Sequence, residues 1–109
     1  MNEQVKEKWL SALRSGDYKQ TQDHLRINDR FCCLGVLCDL YGKEHNVEWN
    51  LVKDGTYSFQ DNGAILPFPV VEWAGVGSRV PEICDTSLVE LNDDGSTFNE
   101  IADLIEEHF

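Results

Sequence analysis

The segment Phe31–Tyr41 (FCCLGVLCDLY) constrains the fold more than any other, because Asp39 is its only charged residue. A segment that is apolar on every side belongs in the middle of a core, and eleven residues are long for a strand. We therefore expect a buried central helix that is capped by Asn28 or Asp29 and ends at Gly42. A buried strand is the competing interpretation.

Helical spacing recurs in two further places before the C-terminal third. Residues 3–15 place their apolar side chains on one face, which predicts an amphipathic helix between an Asn2 cap and a left-handed Gly16. These apolar residues are Val5, Trp9, Ala12 and Leu13. Pro69 suits the first turn of a helix and Gly75 suits its end, so we expect a short helix between them.

Two capping boxes predict a pair of helices near the C-terminus. They are Ser87–Glu90 and Thr97–Glu100, and the turn Asp93–Gly95 separates them. The second helix carries one apolar stripe, which consists of Phe98, Ile101, Ala102, Ile105 and Phe109. A short helix, a turn with glycine and a longer helix have the form of a helix-turn-helix motif.

The apolar residues alternate with a period of two between residues 47 and 66, which predicts strands. A hairpin with the three-residue loop 53–55 keeps the aromatic side chains on one face. The pairs that this loop sets opposite each other are Leu51 with Tyr57 and Trp49 with Phe59. We expect residues 64–66 to return as a third short strand, and the polar segment 17–29 to be a loop that ends in a short strand.

These elements predict one small α+β domain that spans residues 1–109. A chain of 109 residues can bury one hydrophobic core and is too short for two. We expect about five helices around the buried central helix, beside a short antiparallel β-meander. The apolar run 31–38 is much shorter than the roughly 20 residues that cross a bilayer, and the N-terminus does not resemble a secretory signal. We therefore expect no membrane span and a cytoplasmic location.

Charge is distributed unevenly along the chain. The net charge is −11, and residues 80–109 hold nine acidic residues and no Lys or Arg. The outward face of the last helix consists of Asn99, Glu100, Asp103, Glu106 and Glu107. Carboxylates in that position repel a phosphate backbone, so we expect no direct DNA binding and favour contact with a protein partner. A solvated acidic face without a function and a mimic of the phosphate backbone are the alternatives.

The residues that could perform chemistry do not form a recognised motif. The cysteines are Cys32, Cys33, Cys38 and Cys84. Their spacing fits neither a disulfide framework nor a metal site, so we expect reduced, buried thiols. Cys38 beside Asp39 could act as a nucleophile, but burial makes a thiol inert. The pair Asp93-Asp94 precedes Gly95 and is typical of a turn. We therefore expect no metal and no cofactor, and an enzyme is the least favoured class.

A small set of basic and aromatic residues favours recognition of a small ligand. Arg26 and Arg30 precede the central helix, where helix N–H groups attract an anion. Trp49, Tyr57 and Phe59 could form an exposed stacking face on the meander, with core packing as the alternative. The candidate ligand-binding residues are therefore Arg26, Arg30, Trp49 and Tyr57, and the ligand would be of a nucleotide type.

Five stretches of the chain carry a resemblance to known sequences. They are Trp9–Gln20, Leu25-Arg26, Phe31–Leu40 (FCCLGVLCDL), Leu66–Gly75 (LPFPVVEWAG) and Leu91–Glu106. Together they resemble a family of small uncharacterised proteins from tailed bacteriophages and prophages. Glycines are usual in that family where this chain has Thr21–His24, so we expect no backbone contact that depends on glycine at these positions. The resemblance implies an accessory protein of the bacterial host cytoplasm and assigns no catalytic residue.

Three functions are compatible with the sequence. The first is an accessory protein that binds a host factor, such as a defence component, and inhibits or redirects it through the acidic helix. The second is a binding protein that captures a nucleotide-type signal, and proteins of this type usually form homo-oligomers with pockets between subunits. The third, an enzyme that uses Cys38 or Asp93, is the least favoured.

Overall fold

The structure, a computed structural model, describes residues 1–109 and confirms the α+β class with five helices. The helices are α1 (Glu3–Arg14), α2 (Cys33–His45), α3 (Phe68–Ala74), α4 (Leu88–Asp93) and α5 (Phe98–His108). The strands are β1 (Lys19–Gln20), β2 (Arg26–Ile27), β3 (Arg30–Phe31), β4 (Asn50–Lys53), β5 (Thr56–Ser58), β6 (Glu82–Ile83) and β7 (Thr86–Ser87). None of the five helices combines the length and the apolar composition that crossing a membrane requires.

Helix α2 is the buried central helix, as its apolar sequence predicts. Its first six residues, Cys33–Cys38, are all buried, and the helix packs against α1, α3 and α4. Neither Asn28 nor Asp29 caps it, because both lie in the turn between β2 and β3. The cap is Cys32, whose Sγ accepts the N–H of Gly35 at 3.3 Å. The prediction of the cap was therefore wrong.

The predicted end of α2 at Gly42 was also wrong. Gly42 is a buried residue inside the helix, where a Cβ atom would lie 2.5 Å from the carbonyl oxygen of Val47. The helix continues to His45 and ends at Asn46, which adopts the left-handed conformation with φ of 57°. Asparagine tolerates this conformation better than most residues, so it can replace the usual glycine.

The other predicted helices are confirmed, with one change in their caps. Asn2 caps α1, Gly75 ends α3 in the left-handed conformation, and Thr97 forms a complete capping box with Glu100. The first box is only half formed, because the side chain of Glu90 contacts the hydroxyl of Ser87 instead of its N–H. Helix α5 packs along α1, and both helices contribute buried side chains to the core.

The main sheet has the strand order β1-β3-β2-β5-β4, with β1 and β3 parallel and every other pair antiparallel. Leu51 lies opposite Tyr57, as predicted. The loop, however, has two residues, Asp54 and Gly55, with φ of 50° and 81°. A register shift between Leu51 and Lys53 absorbs the extra residue, so the register was right and the loop length was wrong. The ladder stops at Asn50, so Trp49 and Phe59 are not paired in it, although their rings are in contact.

Residues 64–66 do not form the predicted third strand. The free edge of β5 is instead occupied by β2, which comes from the segment before the central helix. Leu66 is buried in the core, and its N–H donates to the carbonyl oxygen of Arg79 at 3.0 Å. The local alternation of apolar residues could not reveal this partner, because strand pairing over a long sequence separation leaves no periodic signal.

Three of the four cysteines are buried, as expected. Burial raises the pKa of the Cys32 thiol to about 11 and also raises the pKa of Cys33 and Cys38. Thiols in that state are weak nucleophiles at neutral pH. Cys84 differs from the prediction, because it is exposed at the turn between β6 and β7.

Candidate binding site

A cleft of about 490 Å³ opens between the main sheet and the C-terminal half of α2. Its volume lies within the range of about 300–1,000 Å³ that is usual for small-molecule sites. The lining residues are Arg26, Asp39, Gly42, Lys43, Asn46, Val47, Glu48, Trp49 and Tyr57. The cleft therefore combines two cations, two carboxylates and two aromatic rings.

Arg26 lies on the sheet side of the cleft, and strand pairing determines its surroundings. Its neighbours across the ladders are Phe31 on β3 and Tyr57 on β5. Paired residues point to the same face of a sheet, so the guanidinium lies between the two rings. Its Cζ is 4.0 Å from the ring centre of Tyr57, 5.1 Å from that of Phe31 and 5.6 Å from that of Trp49. Cation–π attraction holds the charge in this place.

The terminal nitrogens of Arg26 have no partner within the chain. Its Nε donates to the carbonyl oxygen of Asn28 at 2.6 Å, and the side chain makes no other hydrogen bond and no ion pair. A guanidinium whose two Nη atoms are free presents the planar fork that binds carboxylate and phosphate groups. The side chain can therefore receive an anion from outside the chain.

Trp49 forms another wall, and Asp39 holds it. The indole Nε1 of Trp49 donates to Asp39 Oδ1 at 3.0 Å. The second carboxylate oxygen, Oδ2, accepts from the hydroxyl of Tyr18 at 2.6 Å and pairs with Lys43 Nζ at 3.2 Å. Only 16% of the Asp39 side chain is exposed, so these donors replace the water that burial removes. The indole has a defined orientation as a result.

The protonation of this network follows from its contacts. Burial raises the pKa of Tyr18, and the hydrogen bond to Asp39 raises it further. The hydrogen bond from Lys43 to Tyr18 raises the pKa of Lys43. Tyr18 therefore remains a phenol and Lys43 an ammonium at neutral pH. Asp39 and Lys43 neutralise each other.

The structure brings together three of the four predicted ligand-binding residues, namely Arg26, Trp49 and Tyr57. Arg30 is exposed and does not line the cleft, because it neighbours Phe31 on β3 and successive residues of a strand point to opposite faces. Trp49 and Tyr57 are half-buried, so neither full exposure nor core packing describes them.

The predicted attraction of an anion to the start of α2 is contradicted. The N–H of Cys33 donates to Asn92 Oδ1 at 3.1 Å, and the N–H of Gly35 donates to Cys32 Sγ. Residues 33–35 are all buried, so the start of α2 presents no accessible N–H group to a ligand. The cleft lies instead beside the other end of α2.

The residues that α2 and the following segment contribute to the cleft were not predicted from the sequence. They are Asp39, Lys43, Asn46 and Glu48. One signal was available, since Asp39 is the single charge in the central apolar run and Lys43 follows it at the i,i+4 spacing of helical ion pairs. Nothing in the sequence pointed to the role of Tyr18, which reaches Asp39 from another element.

The acidic face of α5 is exposed, but part of it is neutralised within the chain. The exposed residues are those predicted: Asn99, Glu100, Asp103, Glu106 and Glu107. Arg14 of α1 reaches Asp103 at 2.8 Å and Glu106 at 3.0 Å. One guanidinium balances only one of these two carboxylates, so the pair with Arg14 keeps a net negative charge. Glu100 and Glu107 have no Lys or Arg partner, although Glu100 accepts the N–H of Thr97 and Glu107 Oε2 lies 4.0 Å from His108 Nε2.

A comparison with known proteins gives a family but no activity. The family model described as "Domain of unknown function (DUF8296)" matches residues 1–109. No curated protein and no solved structure matches the chain.

Proposed function

Because the chain belongs to the family described as Domain of unknown function (DUF8296), which names no activity, we propose its function from the cleft. The protein is a binding protein that holds a small anionic ligand against Arg26, with Trp49 and Tyr57 as walls. The observation that carries this proposal is the half-buried guanidinium without a carboxylate partner.

The missing carboxylate partner of Arg26 is informative because the chain is rich in acidic residues. The chain has 20 acidic residues and nine basic ones, so a carboxylate for Arg26 would have been easy to supply. Taking a guanidinium partly out of water costs free energy unless an anion or an aromatic face compensates. The aromatic rings compensate part of this cost, and a bound anion compensates the rest. The resemblance to phage and prophage proteins supports the bacterial cytoplasm as the place of action, and a ligand of the nucleotide type has the required anionic group.

Exchanging Arg26 for glutamine tests this function. We expect Arg26→Gln to weaken binding of 3-phenylpropionate, an anion with one aromatic ring, by about 10-fold to 100-fold, because a charge-assisted hydrogen bond contributes about 1.5–3 kcal/mol. The measurement is an NMR titration that follows the indole N–H of Trp49. Arg30→Gln is the matched control, since it removes the same charge from outside the cleft and should leave the affinity unchanged. Equal affinities of wild type and Arg26→Gln would contradict the proposal, as would the absence of binding to the wild type.

A second candidate function is contact with a basic host protein through α5. It is favoured by the two carboxylates of that face, Glu100 and Glu107, that no Lys or Arg of the chain neutralises. Such a contact fits an accessory protein that inhibits or redirects a host factor. Electrostatic attraction between an acidic face and a basic partner mainly accelerates association, so the contact would be sensitive to salt.

Removing negative charge from α5 tests this second function without disturbing the bridge to Arg14. We expect the variant with Glu100→Gln, which keeps the capping box with Thr97, and Glu107→Lys to lose most of a partner that wild type captures from bacterial lysate at low salt. The control reverses Glu82 and Asp85, two exposed acids near the β6–β7 turn. Quantitative mass spectrometry compares the captured proteins. Equal recovery by both variants would show that the charge of α5 plays no part in binding.

A further inference from the structure

The side of the cleft opposite Arg26 is electrostatically negative. A ligand that carries only an anionic group would make no favourable contact with it. That side is formed by Gly42 and Lys43 near the C-terminal end of α2 and by Asn46–Trp49. The carbonyl oxygen of Lys43 accepts no hydrogen bond from the chain. The C-terminal end of a helix carries about half a negative charge, so it attracts cations and hydrogen-bond donors.

Glu48 adds a full negative charge to that side. It is exposed, lines the cleft and forms no ion pair or hydrogen bond within the chain. The other carboxylate, Asp39, is already engaged by Trp49, Tyr18 and Lys43. Glu48 is therefore the acid of the cleft that remains available to a ligand.

The charges of the cleft sum to zero once its internal pair is counted. Lys43 and Asp39 neutralise each other at 3.2 Å. Arg26 and Glu48 are left, one cation and one anion, each without a partner in the chain. A ligand that satisfies both has to carry one negative and one positive group.

We propose, on the basis of the function proposed above, that the ligand is a zwitterion of the α-amino acid class with an aromatic side chain. Its carboxylate pairs with Arg26, and its ammonium group donates to Glu48 and to the free carbonyl oxygen of Lys43. Its ring packs against Trp49 and Tyr57. Binding is a simple association, with no bond made or broken.

Three probes with one carbon skeleton test this class of ligand. Phenylalanine carries both charges, 3-phenylpropionate lacks the ammonium group, and phenethylamine lacks the carboxylate. We expect phenylalanine to bind wild type about tenfold more tightly than 3-phenylpropionate, because its ammonium group gains a charge-assisted hydrogen bond. Phenethylamine should bind most weakly, since it is repelled by Arg26. NMR titration of the Trp49 indole N–H measures all three affinities.

A matched pair of variants assigns the difference to Glu48. Glu48→Gln should remove the advantage of phenylalanine and leave the affinity for 3-phenylpropionate unchanged or higher. Glu72→Gln, an exposed acid on α3 outside the cleft, should change neither affinity. Equal binding of phenylalanine and 3-phenylpropionate to wild type would overturn the zwitterion and leave the anion site standing. Absence of binding by both, or binding of phenethylamine as tight as that of phenylalanine, would overturn the function proposed above as well.

Discussion

Replacing Gly35 by alanine is expected to lower the free energy of unfolding by about 3 kcal/mol or more, since overpacking a core usually costs about 1–3 kcal/mol and a backbone overlap costs the most. A Cβ atom on Gly35 would lie 1.9 Å from the carbonyl oxygen of Leu25. Hydrogen bonds restrain the position of that oxygen. It accepts the N–H of Cys32 at 3.1 Å, and the N–H of Leu25 donates to Gly63 at 2.7 Å. The hydrogen bonds therefore hold the segment before β2 against α2.

The sign of this effect separates close packing from helix propensity. Alanine is a better helix former than glycine by about 1 kcal/mol, so Gly35→Ala would stabilise an unobstructed helix. Urea unfolding measures the difference. Gly63→Ala is the control, because its nearest neighbour, the carbonyl oxygen of Tyr57, would lie 4.0 Å from the new Cβ atom. We expect the control to stay within about 1 kcal/mol of wild type. A Gly35→Ala variant as stable as the control would contradict the close approach of the Leu25 backbone to α2.

Replacing Asn92 by leucine is expected to cost about 3–4 kcal/mol, because it leaves several buried polar groups without partners. Asn92 is fully buried, and its Oδ1 accepts from Cys33 N at 3.1 Å and from Gln20 Nε2 at 2.9 Å. Its Nδ2 donates to the carbonyl oxygen of Thr21 at 2.7 Å. One amide thus connects α4 to the first N–H of α2 and to the segment after β1. Leucine has a similar size but can replace none of these bonds.

Thermal and urea unfolding of Asn92→Leu measure this cost. Asn99→Leu is the control, because Asn99 is exposed on α5 and its side chain makes no hydrogen bond within the chain. We expect the control to change the free energy of unfolding by less than about 0.5 kcal/mol. If the two variants are equally stable, the amide of Asn92 does not connect these elements as described.

The helices were predictable because the information for each lies within it. Trp9 and its apolar neighbours follow the helical period, and α1 occupies the range that this period predicts. The capping box Thr97–Glu100 marks the start of α5 in the same way. The start of α2 was not predictable, because the sulfur of Cys32 replaces the usual oxygen cap. Its true end was hidden as well, since Asn46 takes a role that glycine usually fills.

The cleft was predictable only in the types of its residues. Arg26 and Arg30 are the same type of residue and both precede the central helix, so the sequence does not distinguish their roles. Only Arg26 lies between Phe31 and Tyr57. A shift of one residue along a strand moves a side chain to the other face of the sheet. The choice between the two arginines therefore depends on strand register, which depends on partners far apart in the sequence.

By itself, the sequence determined the central helix, the amphipathic helices around it and the acidic face of α5, because side-chain periodicity within one element decides which residues are buried. Only the tertiary structure decided that Arg26 lacks a carboxylate, that Arg14 pairs with Asp103 and Glu106, and that Asp39 fixes Trp49. These properties depend on contacts between helices and strands that lie far apart in the sequence. No local sequence pattern encodes the distance between two such elements. The central apolar segment thus specified the core, whereas the pairing of β2 with β3 and β5 created the site beside it.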